Sequence, residues 1–195
     1  MEWVEVAQEF ARLKPQIATD LDMLLDGLNP RPMDCMAKEI TDAEKPGNGF
    51  IDWVFYVLAS MEIHIRTRSR IACFDGSADA VYFNAQRIPA ELSKFVLSSA
   101  IAGFAHYKMH TPDFSLLDAR MKEAYFGMGS AYYAANLSQT TLTTPGNKVE
   151  QVGYAFFSGI AEHRGITGVI AALHKMPESF QELRHPISYL ERTGI

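Results

Sequence analysis

The sequence predicts an all-α fold, an up-down bundle of helices with extra short helices and irregular connections. Three observations carry this. Apolar residues recur at three- and four-residue spacing through most of the 195 residues, as they do on one face of a helix. Alternating apolar and polar runs, the mark of half-buried strands, are scarce. The periodic segments break at Asn29-Pro30-Arg31-Pro32, at Lys45-Pro46-Gly47-Asn48-Gly49 and over the polar stretch 137–147, where turn-forming residues collect.

The elements follow in order. Val4, Phe10, Leu13, Ile17, Leu21, Leu24, Leu25 and Leu28 predict a first helix over residues 2–28, with Pro15 as its candidate bend. Pro30 and Pro32 stop it, because a residue before proline avoids helical geometry. A second helix runs from Phe50 to about Arg70, with Trp53, Val57, Ser60/Met61 and His64 on one face. Residues 74–87 are ambiguous: Asp75-Gly76-Ser77 reads as a turn and Val81-Tyr82-Phe83 as a short extended piece. Pro89-Ala90-Glu91 starts a third helix that reaches His110, with proline in the first turn and an acid at the positive end of the dipole. A fourth helix occupies residues 114–136 and a fifth about 148–175. Residues 176–195 form a C-terminal tail of a single domain spanning 1–195, with room for one short helix.

Composition narrows the function classes. Hydrophobic residues are 48% and charged residues 21%, a globular balance. The 18 basic and 23 acidic side chains give a net charge of −5, so nothing polybasic is available for nucleic acid. No apolar run approaches the roughly 20 residues of a membrane span. Cys35 and Cys73 stand far apart with no Cys-x-x-Cys, which fits a reducing cytoplasm and argues against a disulfide framework or a thiolate zinc site. The expected partner is a small molecule, with neither nucleic acid nor membrane.

Two segments resemble a known family. One is Gly49-Phe50-Ile51-Asp52-Trp53-Val54-Phe55-Tyr56-Val57-Leu58-Ala59-Ser60-Met61-Glu62, preceded by Leu24-Leu25-Asp26-Gly27-Leu28 and two prolines. The other is Glu162-His163-Arg164-Gly165-Ile166-Thr167-Gly168-Val169-Ile170-Ala171-Ala172-Leu173. In order and spacing, over residues 5–175, they resemble the DinB/YfiT-like superfamily of four-helix bundles. The resemblance implies a bundle, often a homodimer. Many members hold a divalent metal through three histidines, and some of these are thiol-dependent transferases. Others are metal-free hydrolases of small molecules. This chain departs from the metal pattern: Val57 stands at the second-helix ligand position and Gly159 at the first position of the H-x-x-x-H pair, so only His163 matches.

The candidate residues follow. His163 is a base or hydrogen-bond donor, because an imidazole titrates near neutrality. Glu62 orients it or activates water, a carboxylate in an apolar helix needing a partner. His64 lies seven residues after Val57, about 10 Å along the same face. Trp53, Tyr56, Val57, Phe156 and Gly159 are the candidate lining of a substrate pocket, with Gly159 leaving space where the family has an imidazole. His106 and His110 share a helix face at i, i+4 spacing, which suits a surface or capping role better than a metal. Ser98-Ser99 has no nucleophile-elbow context. The expectation is a DinB-like enzyme acting on a small organic molecule by metal-free acid/base chemistry, hydrolysis or isomerisation, in detoxification, self-resistance or secondary metabolism, with no cofactor. One alternative is a zinc, nickel or iron enzyme with ligands drawn from His163, His64, Glu62 and His106. The other is a non-catalytic binding bundle. Whether residues 74–88 cover the pocket as a lid stays open.

Overall fold

A computed structural model describes residues 1–36, 70–75, 79–111 and 113–195. The helix predicted from Phe50, and with it Trp53, Tyr56, Val57, Glu62 and His64, lies outside the described residues. The rest is mostly helical around one small sheet.

Helix α1, Trp3–Asp20, buries Val6, Phe10, Leu13 and Ile17, the stripe that the spacing predicted. Its first turn is closed by the Glu2 N–H donating to the Glu5 carboxylate at 2.7 Å. Pro15 leaves it unbroken, and the Thr19 hydroxyl donates to the Pro15 carbonyl at 3.0 Å. The helix ends eight residues earlier than the sequence predicts. Leu21, Leu25 and Leu28 are still buried, but Asp22 takes φ of 46° and the chain turns toward the sheet. Apolar spacing alone does not distinguish that folded-back turn from further helix.

The sheet is the main departure from an all-α fold. Strand β1, Asn29–Pro32, runs parallel to β3, Ala80–Phe83, and β2, Ala72–Asp75, runs antiparallel on its other side, giving the order β1-β3-β2. The prolines that stop the first helix fall on an edge strand, where proline's missing N–H is tolerated. All four residues of β3 are buried, so it reads as a continuous apolar run with no alternation. Val81 and Phe83 face the helical core, while Ala80 and Tyr82 join Met33, Met36 and Cys73 in a second apolar cluster.

Helix α2, Ser93–Met109, packs on α1 and on α3. Helix α3 spans residues 119–138: α-helical at Ala119–Met121, π-helical over Lys122–Gly127, α-helical again over Met128–Ser138. The Asp118 carboxylate caps it by accepting the Met121 N–H at 2.8 Å. Helix α4, Lys148–His174, starts at Asn147, whose side chain accepts the Val149 N–H at 2.9 Å. It kinks at Gly165, which has φ 64° and ψ −164°. Helix α5, Pro186–Thr193, begins on proline and ends at left-handed Gly194. The tail is therefore part of the core: Leu183, Tyr189 and Leu190 are buried against α4.

Glycines set two of these contacts. A Cβ on Gly153 would lie 1.9 Å from the Ala124 carbonyl oxygen, so α4 meets the π segment backbone to backbone. Gly165 sits in open space but at positive φ. Gly153→Ala should destabilise the protein by about 1–3 kcal/mol or more, since backbone cannot swing aside and the clash outweighs alanine's helix preference of about 0.5–1 kcal/mol. Gly165→Ala should cost about 1–3 kcal/mol through backbone strain alone, because its φ and ψ lie in a region essentially confined to glycine. Chemical denaturation of both variants checks the two costs, and a Gly153→Ala protein as stable as the wild type would contradict the close approach.

Candidate functional site

Three elements enclose a cavity of about 520 Å³. Residues 70–74 form one wall, and α2 gives another through Phe95, Ser99 and Gly103. Helix α3 and the turn before it close the third, with Phe114 from the turn, Lys122 and Phe126 from the π segment and Ser130 from the α-helical turn after it. Phe74, on the inward face of β2, meets Phe104 edge-on at 6.1 Å and Tyr107 at 5.4 Å. Phe114 meets Phe126 edge-on at 4.8 Å, and the Lys122 ammonium lies 4.9 Å from the Phe114 ring centre. The Ser130 hydroxyl donates to the Phe126 carbonyl at 2.9 Å. Arg70 and Lys122 bring positive charge to the lining, and no carboxylate stands among its described residues. Such a surface suits an apolar body with an anionic group.

The π segment has a local consequence. Its hydrogen bonds reach one residue further than those of an α-helix, and such turns are frequent at functional sites. Here Lys122, Phe126 and Gly127 face the cavity, while Tyr125 turns into the core.

Behind Phe126 lies a buried histidine. His106 is fully enclosed, with ring-centre distances of 4.3 Å to Phe126, 4.7 Å to Tyr125 and 5.3 Å to His110. Neither of its ring nitrogens has a hydrogen-bond partner among the described residues. Burial pushes its pKa well below the ordinary histidine value, and His110 and His174 push the same way. The Phe126 backbone opposes the shift without closing a hydrogen bond to either nitrogen, its carbonyl being engaged by Ser130. His110 Nε2 donates to the Leu173 carbonyl at 2.7 Å, capping the end of α4. Burial lowers its pKa, and that bond partly offsets the shift. The pair is thus a buried ring and an inter-helix cap: a surface or capping role was expected, and the burial of His106 is the departure from it.

The residues singled out by resemblance lie elsewhere. His163 is exposed, and its Nδ1 donates to the Gly159 carbonyl of its own helix at 2.8 Å. Phe156 is core, edge-on to Tyr189 at 4.9 Å. The space beside Gly159 is filled: a Cβ there would stand 2.8 Å from Pro186 Cγ. None of the three lines the cavity. The family's three-histidine metal does not fit this arrangement, because the Gly159 position has neither a donor nor room for one. Cavity residues from 70–74, α2 and the π segment share no sequence motif, and Lys122 gave no signal beyond being a charge on a helix. The segment 74–88 contributes a wall at Phe74 and a buried strand at Ala80–Phe83, with residues 76–78 outside those described.

No protein-family model, curated protein or solved structure matches this chain.

The buried histidines give a pH prediction. An unfolded histidine titrates near ~6.5, whereas His106 and His110 titrate lower when folded. Below ~6.5 the unfolded chain binds protons that the folded chain refuses, so stability falls with pH until the folded values are reached. The slope is at most about 1.4 kcal/mol per pH unit for each histidine. Urea titrations from pH 7.5 to 5 should show this loss, with a shallower slope in His106→Phe. Equal slopes in the two proteins would contradict it.

Proposed function

We propose that this protein binds a small, mainly apolar organic molecule carrying an anionic group. The observation that carries the reading is the aromatic cavity of about 520 Å³ whose described lining holds Arg70 and Lys122 and no carboxylate. Its size is that of a ligand site, for which roughly 300–1,000 Å³ is typical. Phe74, Phe95, Phe114 and Phe126 offer ring faces and edges to the apolar body. In a chain of net charge −5, a cavity with a cationic lining is a local reversal of field that favours an anion.

This is the binding branch of the functions expected from sequence. The DinB-like scaffold remains part of the proposal. The order of the described helices and the near-predicted bounds of α2 and α4 support it, while α1 ends early and the three-stranded sheet is an addition to that pattern. Acid/base catalysis by His163 draws no support from its exposed position away from the cavity.

Gly103 supplies the test. A Cβ there would make only ordinary contacts, 3.6 Å to Ser130 Oγ and 3.7 Å to Phe74 Cε1. Gly103→Leu therefore grows into the cavity while removing a helical glycine that costs about 0.5–1 kcal/mol. In thermal-shift titrations, 1-naphthoate and decanoate should stabilise the wild type, by about 2.7 kcal/mol at a hundredfold excess over Kd. Gly103→Leu should bind neither, yet melt no lower than the wild type. Lys122→Ala should weaken the two anions a few-fold and leave neutral 1-naphthylmethanol unchanged. Undiminished binding to Gly103→Leu would place the ligand elsewhere.

A further inference from the structure

We propose that Met33, Met36 and Cys73 form a binding site for one soft monovalent metal ion, Cu(I). Cys73 Sγ lies 3.1 Å from Met36 Sδ and 3.6 Å from Met33 Sδ. The three sulfurs come from opposite edges of the sheet. Met33 follows β1 directly, Cys73 sits on β2 opposite Tyr82, and the buried Tyr82 of β3 lies between the two edge strands. The period of two then aims Cys73 to the outer face, away from the helical core that holds Phe74.

The donor set selects the ion. Thioethers and a thiolate are soft ligands that favour Cu(I), whereas hard cations need oxygen. One thiolate and two neutral thioethers carry a single negative charge, which a monovalent ion balances within the donor set, beside the Arg70 guanidinium that reaches the Cys73 sulfur. An ion bonded at about 2.3 Å, the length of a zinc–thiolate bond, holds three surrounding sulfurs about 4 Å apart. The contacts at 3.1 and 3.6 Å open to that spacing by less than about 1 Å, within reach of methionine's three rotatable bonds. Without the ion, the Cys73 Sγ–H donates toward Met36 Sδ and Met33 Sδ. Binding releases that proton to solvent and forms one Sγ–Cu bond, and the copper enters and remains as Cu(I). Met36 and Cys73 are half-buried, and Met33 borders a separate surface recess of about 470 Å³, which gives the ion a path. Met33 and Met36 lie outside the organic cavity's lining, which Cys73 borders, and the sulfur contacts that carry the proposal are independent of any ligand in that cavity.

The test is anaerobic titration of the full chain with Cu(I) under competition from a chromogenic chelator, repeated with Ag(I). Near-UV thiolate-to-metal absorption is the readout. The wild type should take up one equivalent and ignore Zn(II). Cys73→Ser and the double substitution Met33→Leu/Met36→Leu should each weaken binding at least about tenfold. Methionine-to-leucine changes conserve volume, so thermal melting should show both proteins folded. Cys35→Ser, at the exposed thiol of the same turn, should bind as the wild type does. The proposal falls if the folded wild type takes up no equivalent, if uptake survives loss of Cys73 or of both methionines, or if Cys35→Ser abolishes it.

Discussion

The fold turns on how the carboxyl end of α4 is buried. A helix leaves its last four carbonyls without partners, and burying that end is tolerable only if donors arrive from elsewhere. Three do. The Tyr125 hydroxyl of α3 donates to the Ala172 carbonyl at 2.6 Å, and His110, just past α2, donates to Leu173 at 2.7 Å. The Tyr189 hydroxyl of α5 donates to the Lys175 carbonyl. Each bond is worth only about 1 kcal/mol net, but an unmet buried carbonyl costs about 1–3 kcal/mol. The three caps thus tie α2, α3 and α5 to one point. They also fix chemistry there: a carbonyl acceptor requires Nε2 of His110 to carry the proton, and burial pushes the Tyr125 and Tyr189 hydroxyls up, keeping them protonated donors.

That knot explains the shape of the neighbouring cavity. Tyr125 must reach inward to α4, while Phe126 beside it covers His106 and lines the cavity. The π segment lets adjacent residues serve both surfaces. It is held in place from behind, where Gly153 of α4 admits the Ala124 carbonyl at a distance no side chain would allow. The glycine-rich stretch of α4 is therefore mostly about packing. Gly153 and Gly159 receive Ala124 and Pro186, and Gly165 turns the helix. Gly159, which the sequence suggested as room for a ligand, is occupied by Pro186.

What the sequence made legible was periodic. Helices α2 and α4 lie within a few residues of their predicted bounds, because proline, asparagine and a long apolar stripe mark them. The end of α1 was not legible, since Leu21, Leu25 and Leu28 keep helical spacing while the backbone turns away. Four-residue strands are too short for a period of two to emerge, and Ala80–Phe83 is buried on both faces. The site was less legible still. Resemblance drew attention to His163, which is exposed, while Phe74, Gly103 and Lys122 meet only through folding. Cys35 and Cys73 looked unrelated because methionine, the residue that links their surroundings, carries no motif of its own.

Strand β2 borders both proposed sites. Phe74 packs into the aromatic cavity, and Cys73, which borders that cavity, sets its sulfur against the methionine sulfurs. An apolar anion and a soft cation make opposite demands, one on cationic side chains and ring faces, the other on a polarisable anionic sulfur. A single pocket would serve neither well, since the charge that attracts one repels the other. On β2 the pleat turns neighbouring side chains different ways, Phe74 to the aromatic rings and the Cys73 sulfur to the methionines, although Cys73 also borders the cavity. Arg70 stands where the two environments meet. It lines the cavity and also opposes the upward shift of the Cys73 thiol, so its charge belongs to the electrostatics of both.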